Sequence, residues 1–460
     1  VLANLLSEED FGLVGAVLIF QAFASLAVDS GFSYALLQRK RPSRLDYSTV
    51  LWFNLITSAA FYIILYVCAP LIARCFQNDP RIIPLTRVMC LGIILNASAI
   101  IQTNRLMKSM NVRMVTVSNS IGLIAGGTVG IAFALVGYGP WAIVWQSLTT
   151  AAVKSAVLWT TSRWRPLMRF SFAALRSYIG LGSRMMLTSF LNTVFQYIYS
   201  FFIGNRVGLK PLGYYTQSDK WSKMGITSIS QTITSSFIPA LSAVQDDSER
   251  FAAMVSKMNR FTSYIIFPVL LGLMLMAGPI FHALFGTKWD PSILLFQLLL
   301  LRGIFFIFCS LYNNYLLALG RGGIIVRLEM LRDAVAIVAL VASVPFLRMT
   351  TPADPVYGLG IMLWGQVAAG AITWIASLIV TARISKVPVI RFLTDMLPYF
   401  AQTAVIIPLM NIAATPFDNP WLKIPVMSFV GAGLYIGGNR FFKSRIQQEV
   451  FMYFRKGKID

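Results

Sequence analysis

The sequence predicts an all-α polytopic membrane protein built as two six-helix lobes related by a pseudo-two-fold axis, followed by two C-terminal helices. Three observations predict it. The 460 residues are 57% hydrophobic with a mean hydropathy of +0.68, beyond what a water-soluble domain carries. Thirteen hydrophobic stretches are each roughly 20 residues or longer, enough to cross a bilayer. Between them, Lys and Arg gather in every second loop.

The stretches, in order, cover residues 11–37, 47–73, 84–104, 114–137, 140–161, 178–204, 212–243, 261–285, 291–319, 323–347, 356–381, 394–413 and 420–439. One alternate set of loops, with the tail, holds 26 Lys and Arg, and the opposite set only eight. The positive-inside rule therefore places the tail and the basic loops in the cytoplasm, and the first stretch runs inward from the acidic Ser7-Glu8-Glu9-Asp10. Val1 to Ser7 reads as the tail of a helix that begins upstream, so a first spanning helix is expected ahead of it. Restoring it brings the total to fourteen. No charged n-region and apolar h-region of a cleavable signal open the chain.

The net charge of +21 could indicate a nucleic-acid binder. Such proteins cluster bases with stacking aromatics on a polar domain, whereas here the bases punctuate apolar segments. Cys68, Cys75, Cys90 and Cys309 have no paired or metal-ligand spacing and read as small hydrophobes. His282 is the one histidine, which excludes clustered-histidine metal sites and leaves little room for a His-based triad.

An internal repeat sets the organisation. Gly12 matches Gly213, Gly92-Ile93 matches Gly303-Ile304, and Tyr138-Gly139 matches Tyr357-Gly358, in order and with a slowly increasing offset. Copies with an even number of helices are parallel, related by an axis along the membrane normal. The expected divisions are an N-terminal lobe over 1–162, a cytoplasmic inter-lobe loop over 163–177, a C-terminal lobe over 178–385, an extra helix pair over 386–440 and a basic cytoplasmic tail over 441–460. Both the tail and Trp164 to Phe170 suit interfacial segments on anionic lipid. The 163–177 loop reads as the hinge between halves.

Five cations lie within the stretches: Lys154, Arg184, Lys220, Lys223 and Arg302. A charge inside a bilayer is costly and usually functional. At about 1.5 Å per residue, Lys223 and Arg302 each lie roughly 16 Å into their helices, too deep to reach a headgroup, so they should face protein or a hydrated cavity. Asp219, four residues before Lys223, is placed to pair with it and still leave Lys220 in surplus. Arg184 and Lys154, nearer the cytoplasmic ends, can also snorkel. Glu329 and Asp333 read as local ion-pair partners of Arg327 and Arg332.

These cations make a site for an anion. Guanidinium and ammonium groups satisfy phosphate oxygens: Lys220, Lys223, Arg302, Arg184 and Lys154 are the candidate diphosphate ligands. Asn192, Gln196, Tyr214, Tyr215 and Gln217 offer the hydroxyl and amide groups that suit a sugar. A phosphate-linked glycan on a lipid fits both sets. No phosphate-cradling loop, nucleophile elbow or zincin motif is present, so the reading is a carrier and not an enzyme. No cofactor is expected beyond H+ or Na+ coupling, for which Asp29 and Asp219 are the candidates.

Several stretches carry a family resemblance: Leu5-Leu6-Ser7-Glu8-Glu9-Asp10-Phe11-Gly12, Asp29-Ser30-Gly31-Phe32 with Leu36-Leu37-Gln38-Arg39-Lys40, Gly213-Tyr214-Tyr215, Phe237-Ile238-Pro239-Ala240-Leu241-Ser242, and Phe285-Gly286-Thr287-Lys288-Trp289. In these the chain resembles the Wzx-type polysaccharide flippases, of the colanic acid and succinoglycan exporter branch, in the multidrug/oligosaccharidyl-lipid/polysaccharide exporter superfamily. The resemblance implies fourteen helices in two lobes plus two. It also implies a partner substrate, undecaprenyl-diphosphate-linked oligosaccharide, moved from the cytoplasmic to the periplasmic leaflet of a bacterial inner membrane, in company with a polymerase and chain-length regulator. Two alternatives stay within that superfamily: an organic-cation antiporter, which would want buried carboxylates where this chain has cations, and a peptidoglycan lipid-precursor flippase. A membrane glycosyltransferase or polymerase would need larger outer loops than Gly137 to Pro140 and Phe285 to Pro291 provide.

Overall fold

The computed structural model describes residues 1–29, 32–162, 164–349 and 356–449; the side chains of residues 34, 179, 181–185, 188, 232, 234–236 and 238–240 are outside that description. Among the described residues, thirteen long helical runs stand at the thirteen expected places: α1 (Glu8–Asp29), α2 (Arg44–Cys75), α3 (Ile82–Lys108, broken at Cys90), α4 (Val112–Leu135), α5 (Trp141–Thr161), α6 (Phe172–Arg206), α7 (Leu209–Ser242), α8 (Ser248–Leu275), α9 (Asp290–Ala318), α10 (Gly322–Ser343), α11 (Tyr357–Ser385), α12 (Val389–Ala414) and α13 (Pro420–Phe441). Eight of them, α1 to α4, α8, α9, α11 and α12, are apolar enough over their length to cross a membrane on composition alone. The other five carry more polar residues, and α6 and α7 hold most of the candidate site.

The helix starts have local causes. Ser43 and Asp46 form a reciprocal capping box ahead of α2, with Asp46 N–H donating to Ser43 Oγ at 3.1 Å and Ser43 N–H donating to Asp46 Oδ2 at 2.7 Å. Asn111, Ser171, Asp247 and Asn419 each accept a first-turn amide at the heads of α4, α6, α8 and α13. Pro268 lacks an N–H, and α8 widens to a π turn over Phe267–Leu271 around it. Within the first expected stretch, helix covers Glu8–Asp29 and Phe32–Gln38, with residues 30 and 31 outside the described ones.

The chain divides into two compact units, Val1–Thr216 and Gln217–Asp460. In the first, α4 lies along α5 through Gly122, Gly126 and Gly130; a Cβ on Gly126 would stand 2.0 Å from Thr150 Oγ1. The α6 helix, placed by sequence number at the head of the second lobe, packs on α1, α2 and the Phe32–Gln38 helix within this first unit. In the second, α9 and α10 pack on α11, and α12 on α8 and α13.

The two units repeat a packing scheme. In the first, α5 packs against α3 and α4; in the second, α11 packs against α9 and α10. The anchor glycines make matching contacts. Gly92 of α3 faces Gln21 of α1, where a Cβ would meet Nε2 at 3.1 Å, and Gly303 of α9 faces Ile226 of α7, where a Cβ would meet Cδ1 at 2.2 Å. The first anchor pair meets itself: a Cβ on Gly213 would lie 1.9 Å from Glu8 O and 3.2 Å from Gly12 N.

The connector after α5 is strapped down. Leu167 N–H donates to Ser48 Oγ at 2.8 Å, Trp52 Nε1 donates to Leu167 O at 2.9 Å, and Arg44 Nη2 donates to Arg165 O at 3.0 Å. Trp164 is buried under the Arg105 guanidinium, 5.1 Å from its ring. The segment expected as the inter-lobe hinge is thus hydrogen-bonded to α2 through Arg165 and Leu167. Exposed Met168, Phe170 and Phe172 still point outward. Past α13, Ile446 and Gln447 are buried, Gln447 Nε2 donates to Ile436 O at 3.0 Å, and Lys257 pairs with Glu449 at 2.9 Å. This part of the tail docks on protein; residues 450–460 lie outside the described ones.

Candidate functional site

On α7, the surface alternates sharply between packing and charge. Gly213 lets the helix approach α1 at backbone contact distance, which carries Tyr214, Tyr215 and Gln217 into burial. The Lys210 amino group sits 6.0 Å over the Tyr214 ring. These three residues, expected to face sugar, therefore lie inside protein in this state. One turn further on, Lys220 is exposed. Lys223 Nζ pairs with Asp219 Oδ2 at 2.6 Å, while Asp219 Oδ1 is buried and has no partner among the described residues. Ser218 on the buried face donates to Ser292 O at 2.9 Å and ties α7 to the head of α9.

Asp219 and Lys223 share a helix face at the four-residue spacing that makes such pairs. The pair is locally neutral. Lys220 has no such carboxylate within ion-pair distance among the described residues, so the surplus positive charge of this helix resides there.

Arg302 lies twelve residues into α9, roughly 18 Å along its axis, and is half-buried. Its Nη1 donates to Oε1 of Gln366 on α11. Its stem runs beside Gly370, where a Cβ would meet Arg302 Cγ at 3.7 Å. Gln366 is a partner that sequence reasoning did not name. It stands in Trp364-Gly365-Gln366, and nothing in that run points at Arg302.

The other expected residues scatter. Lys154 is half-buried on α5 with its stem against α4 at Gly122. Arg184 falls in α6, and its side chain lies outside the described residues. Asn192 and Gln196 are both exposed, one turn apart on α6. Asp29 accepts from Ser33 Oγ, which in turn accepts from Asn104 Nδ2 at 2.8 Å. Asp29 is thus tied into a hydrogen-bonded chain with α3.

Two cavities among the described residues have no expected cation in their lining. A polar one of about 620 Å³ lies in the first unit, at the end facing away from the basic loops. Around it Arg81 pairs with Glu9 and with Asp79, the latter at 2.6 Å, and Lys210 approaches Glu8 at 4.0 Å. The Arg81 guanidinium holds the Asp79 carboxyl below the usual carboxylate range. The other, about 450 Å³, is an apolar groove between α8, α12 and α13 around Pro268, Met410 and Gly431.

Long apolar helices carrying isolated cations in their interiors define a multi-pass helical membrane protein. A sequence family described as polysaccharide biosynthesis protein matches residues 1–294, and the chain belongs to it. It is 25% identical over 342 residues to the succinoglycan biosynthesis transport protein ExoT of Rhizobium meliloti (strain 1021), covering 74% of this chain and 69% of that one. It is also 25% identical over 312 residues to the lipopolysaccharide biosynthesis protein WzxC of Escherichia coli (strain K12), covering 66% and 62%. The matched part thus spans about two thirds of these relatives' length.

Among solved structures, the inward closed conformation of lipid II flippase MurJ superposes with a TM-score of 0.76 over 97% of this chain and 96% of that one, at 13% identity. An inward-facing multidrug resistance transporter of the MATE family and MOP superfamily gives 0.63 over 84% and 94%, at 15% identity. At these identities the likeness is one of fold.

Proposed function

We propose that the protein is a flippase that moves a polyprenyl-diphosphate-linked oligosaccharide across a bacterial inner membrane, for exopolysaccharide or lipopolysaccharide synthesis, by alternating access of two six-helix lobes. The observation that carries this reading is the pair of cations within the hydrophobic stretches that have no carboxylate partner among the described residues, Lys220 and Arg302, in a chain of this family. A cation at that depth is stable when it meets an anion that visits it. The relatives named as transport and biosynthesis proteins for succinoglycan and lipopolysaccharide support a glycan-bearing lipid as that anion.

In this reading Arg184 and Lys154 recruit the diphosphate from the cytoplasmic leaflet, and Lys220, Lys223 and Arg302 hold it near the midplane. Exposed Asn192 and Gln196 contact sugar first; Tyr214, Tyr215 and Gln217 join only when α7 separates from α1. The C-terminus is cytoplasmic. A carrier without an energy source only equilibrates its substrate, so net export draws on consumption by a polymerase outside or on an H+ or Na+ gradient acting at Asp29 or Asp219.

The test is complementation of a strain lacking the protein. Lys220→Ala and Arg302→Ala should each reduce polymer export at least about tenfold, the effect of losing one charged contact of roughly 1.4 kcal/mol or more, with folded protein at normal abundance. Normal export in both variants refutes the reading.

A further inference from the structure

We propose that Gln366 is a positioning residue for the lipid diphosphate: as a neutral acceptor it aims the Arg302 guanidinium while leaving its charge uncompensated. The inference rests on the function proposed above. Arginine has five N–H donors in a planar fork. One hydrogen on Nη1 is spent on Gln366 Oε1, which fixes the plane, and the remaining donors, with no carboxylate at hand among the described residues, can grip phosphate oxygens in a bidentate manner.

The surroundings match that task. Gln366 is 4% exposed, so packing holds the amide in place. Gly370, one helical turn further along α11, presents no side chain against the arginine stem, and Phe305 stacks on Trp374 with ring centroids 5.8 Å apart to close the next turn. Among the described residues no carboxylate comes within ion-pair distance of Arg302, in contrast to Lys223 with Asp219. The other end of the amide, Gln366 Nε2, is buried and has no partner among the described residues. A buried donor left unmade is unfavourable, and an anion seated on Arg302 supplies the missing acceptor.

The choice of amide over acid is the point of the arrangement. A carboxylate at position 366 would orient the guanidinium equally well, but it would pair with the charge and compete with the diphosphate. The full chain, purified in detergent, is titrated with undecaprenyl diphosphate at pH 8, with thermal unfolding as the measure of folding. Arg302→Ala should weaken binding at least about tenfold. Gln366→Glu should weaken it to a similar degree, because a carboxylate beside a guanidinium stays ionised and pairs with it. Gln366→Met, neutral but without the acceptor, should fall between wild type and Gln366→Glu.

Weakened binding in Arg302→Ala together with wild-type binding in Gln366→Glu at pH 8 overturns this inference alone. Binding by Gln366→Met as weak as binding by Gln366→Glu also overturns it, because a purely structural role is indifferent to that charge. Should Gln366→Glu fail to fold, equal binding by Gln366→Met and wild type overturns it as well. Unchanged binding in Arg302→Ala removes the diphosphate from Arg302 and overturns the functional reading with it.

Discussion

Lys220 and Lys223 are three residues apart, yet the structure gives them different electrostatic lives. Lys223 is paired at 2.6 Å with Asp219, whose side chain is 15% exposed. Removing one member of such a pair leaves a partly buried charge alone, at a cost of about 1–3 kcal/mol. Lys223→Ala should therefore lower the unfolding temperature, and Asp219→Asn added to it should restore most of the loss, as measured by a double-mutant cycle of thermal unfolding. Lys220→Ala should leave stability nearly unchanged and act on transport. If Lys220→Ala destabilises as much as Lys223→Ala, the distinction between paired and surplus charge fails. Lys223 was legible as a member of a pair from its spacing alone; Arg302's partner was not, because Gln366 is 64 residues away.

At the scale of elements, two contacts have consequences that can be measured. Where α1 meets α7, a methyl group on Gly12 would stand 1.8 Å from Leu209 O, and backbone on both sides cannot yield as a flexible side chain would. Gly12→Ala and Gly213→Ala should each cost about 1–3 kcal/mol or more, whereas Gly225→Ala, with nothing within 4 Å of the added carbon, should be neutral or slightly stabilising by up to about 1 kcal/mol. Thermal unfolding of the three variants decides this. The loop between α2 and α3 makes the second contact, through Asp79 and Arg81. Because Arg81 depresses the Asp79 carboxyl in the folded state, this ion pair contributes fully above the unfolded value near pH 4. Its contribution is lost as pH falls through the lower folded value. Proteolytic protection of residues 76–81 should stay level from pH 7 to about 4 and drop only below that; a drop between pH 7 and 5 would contradict the pairing.

Element cores were legible and element ends were not. Every apolar stretch became a helix because hydrophobic content is local and a membrane leaves helices as the available way to satisfy the backbone. The starts moved: α6 begins at Phe172, six residues before the expected 178, and α8 at Ser248, thirteen before 261. Ser171 and Asp247 cap these helices, and the added turns are amphipathic, so a search for apolar residues passes over them. Tyr214, Tyr215 and Gln217 looked like a polar wall of a cleft because their composition is polar; only the glycine contact with α1 shows them buried.

For the whole molecule, the charge asymmetry of the loops makes a prediction about sidedness. In a variant lacking the four natural cysteines, Lys40→Cys lies on the basic side and Gln77→Cys on the opposite side, and both positions are exposed. A membrane-impermeant maleimide applied to intact cells should label residue 77 and spare residue 40. The reverse pattern would invert the topology and, with it, the direction of transport.

The sequence by itself determined the membrane class and the thirteen helical segments, since both follow from hydropathy along the chain. Tertiary structure alone decided that Arg302 meets an amide, that the connector after α5 is hydrogen-bonded to α2, and that α6 packs with the first unit. Those outcomes depend on groups far apart in sequence meeting at distances of a few ångströms. Hydrophobic and charge patterns record which face a residue prefers, but not which neighbour it finds there.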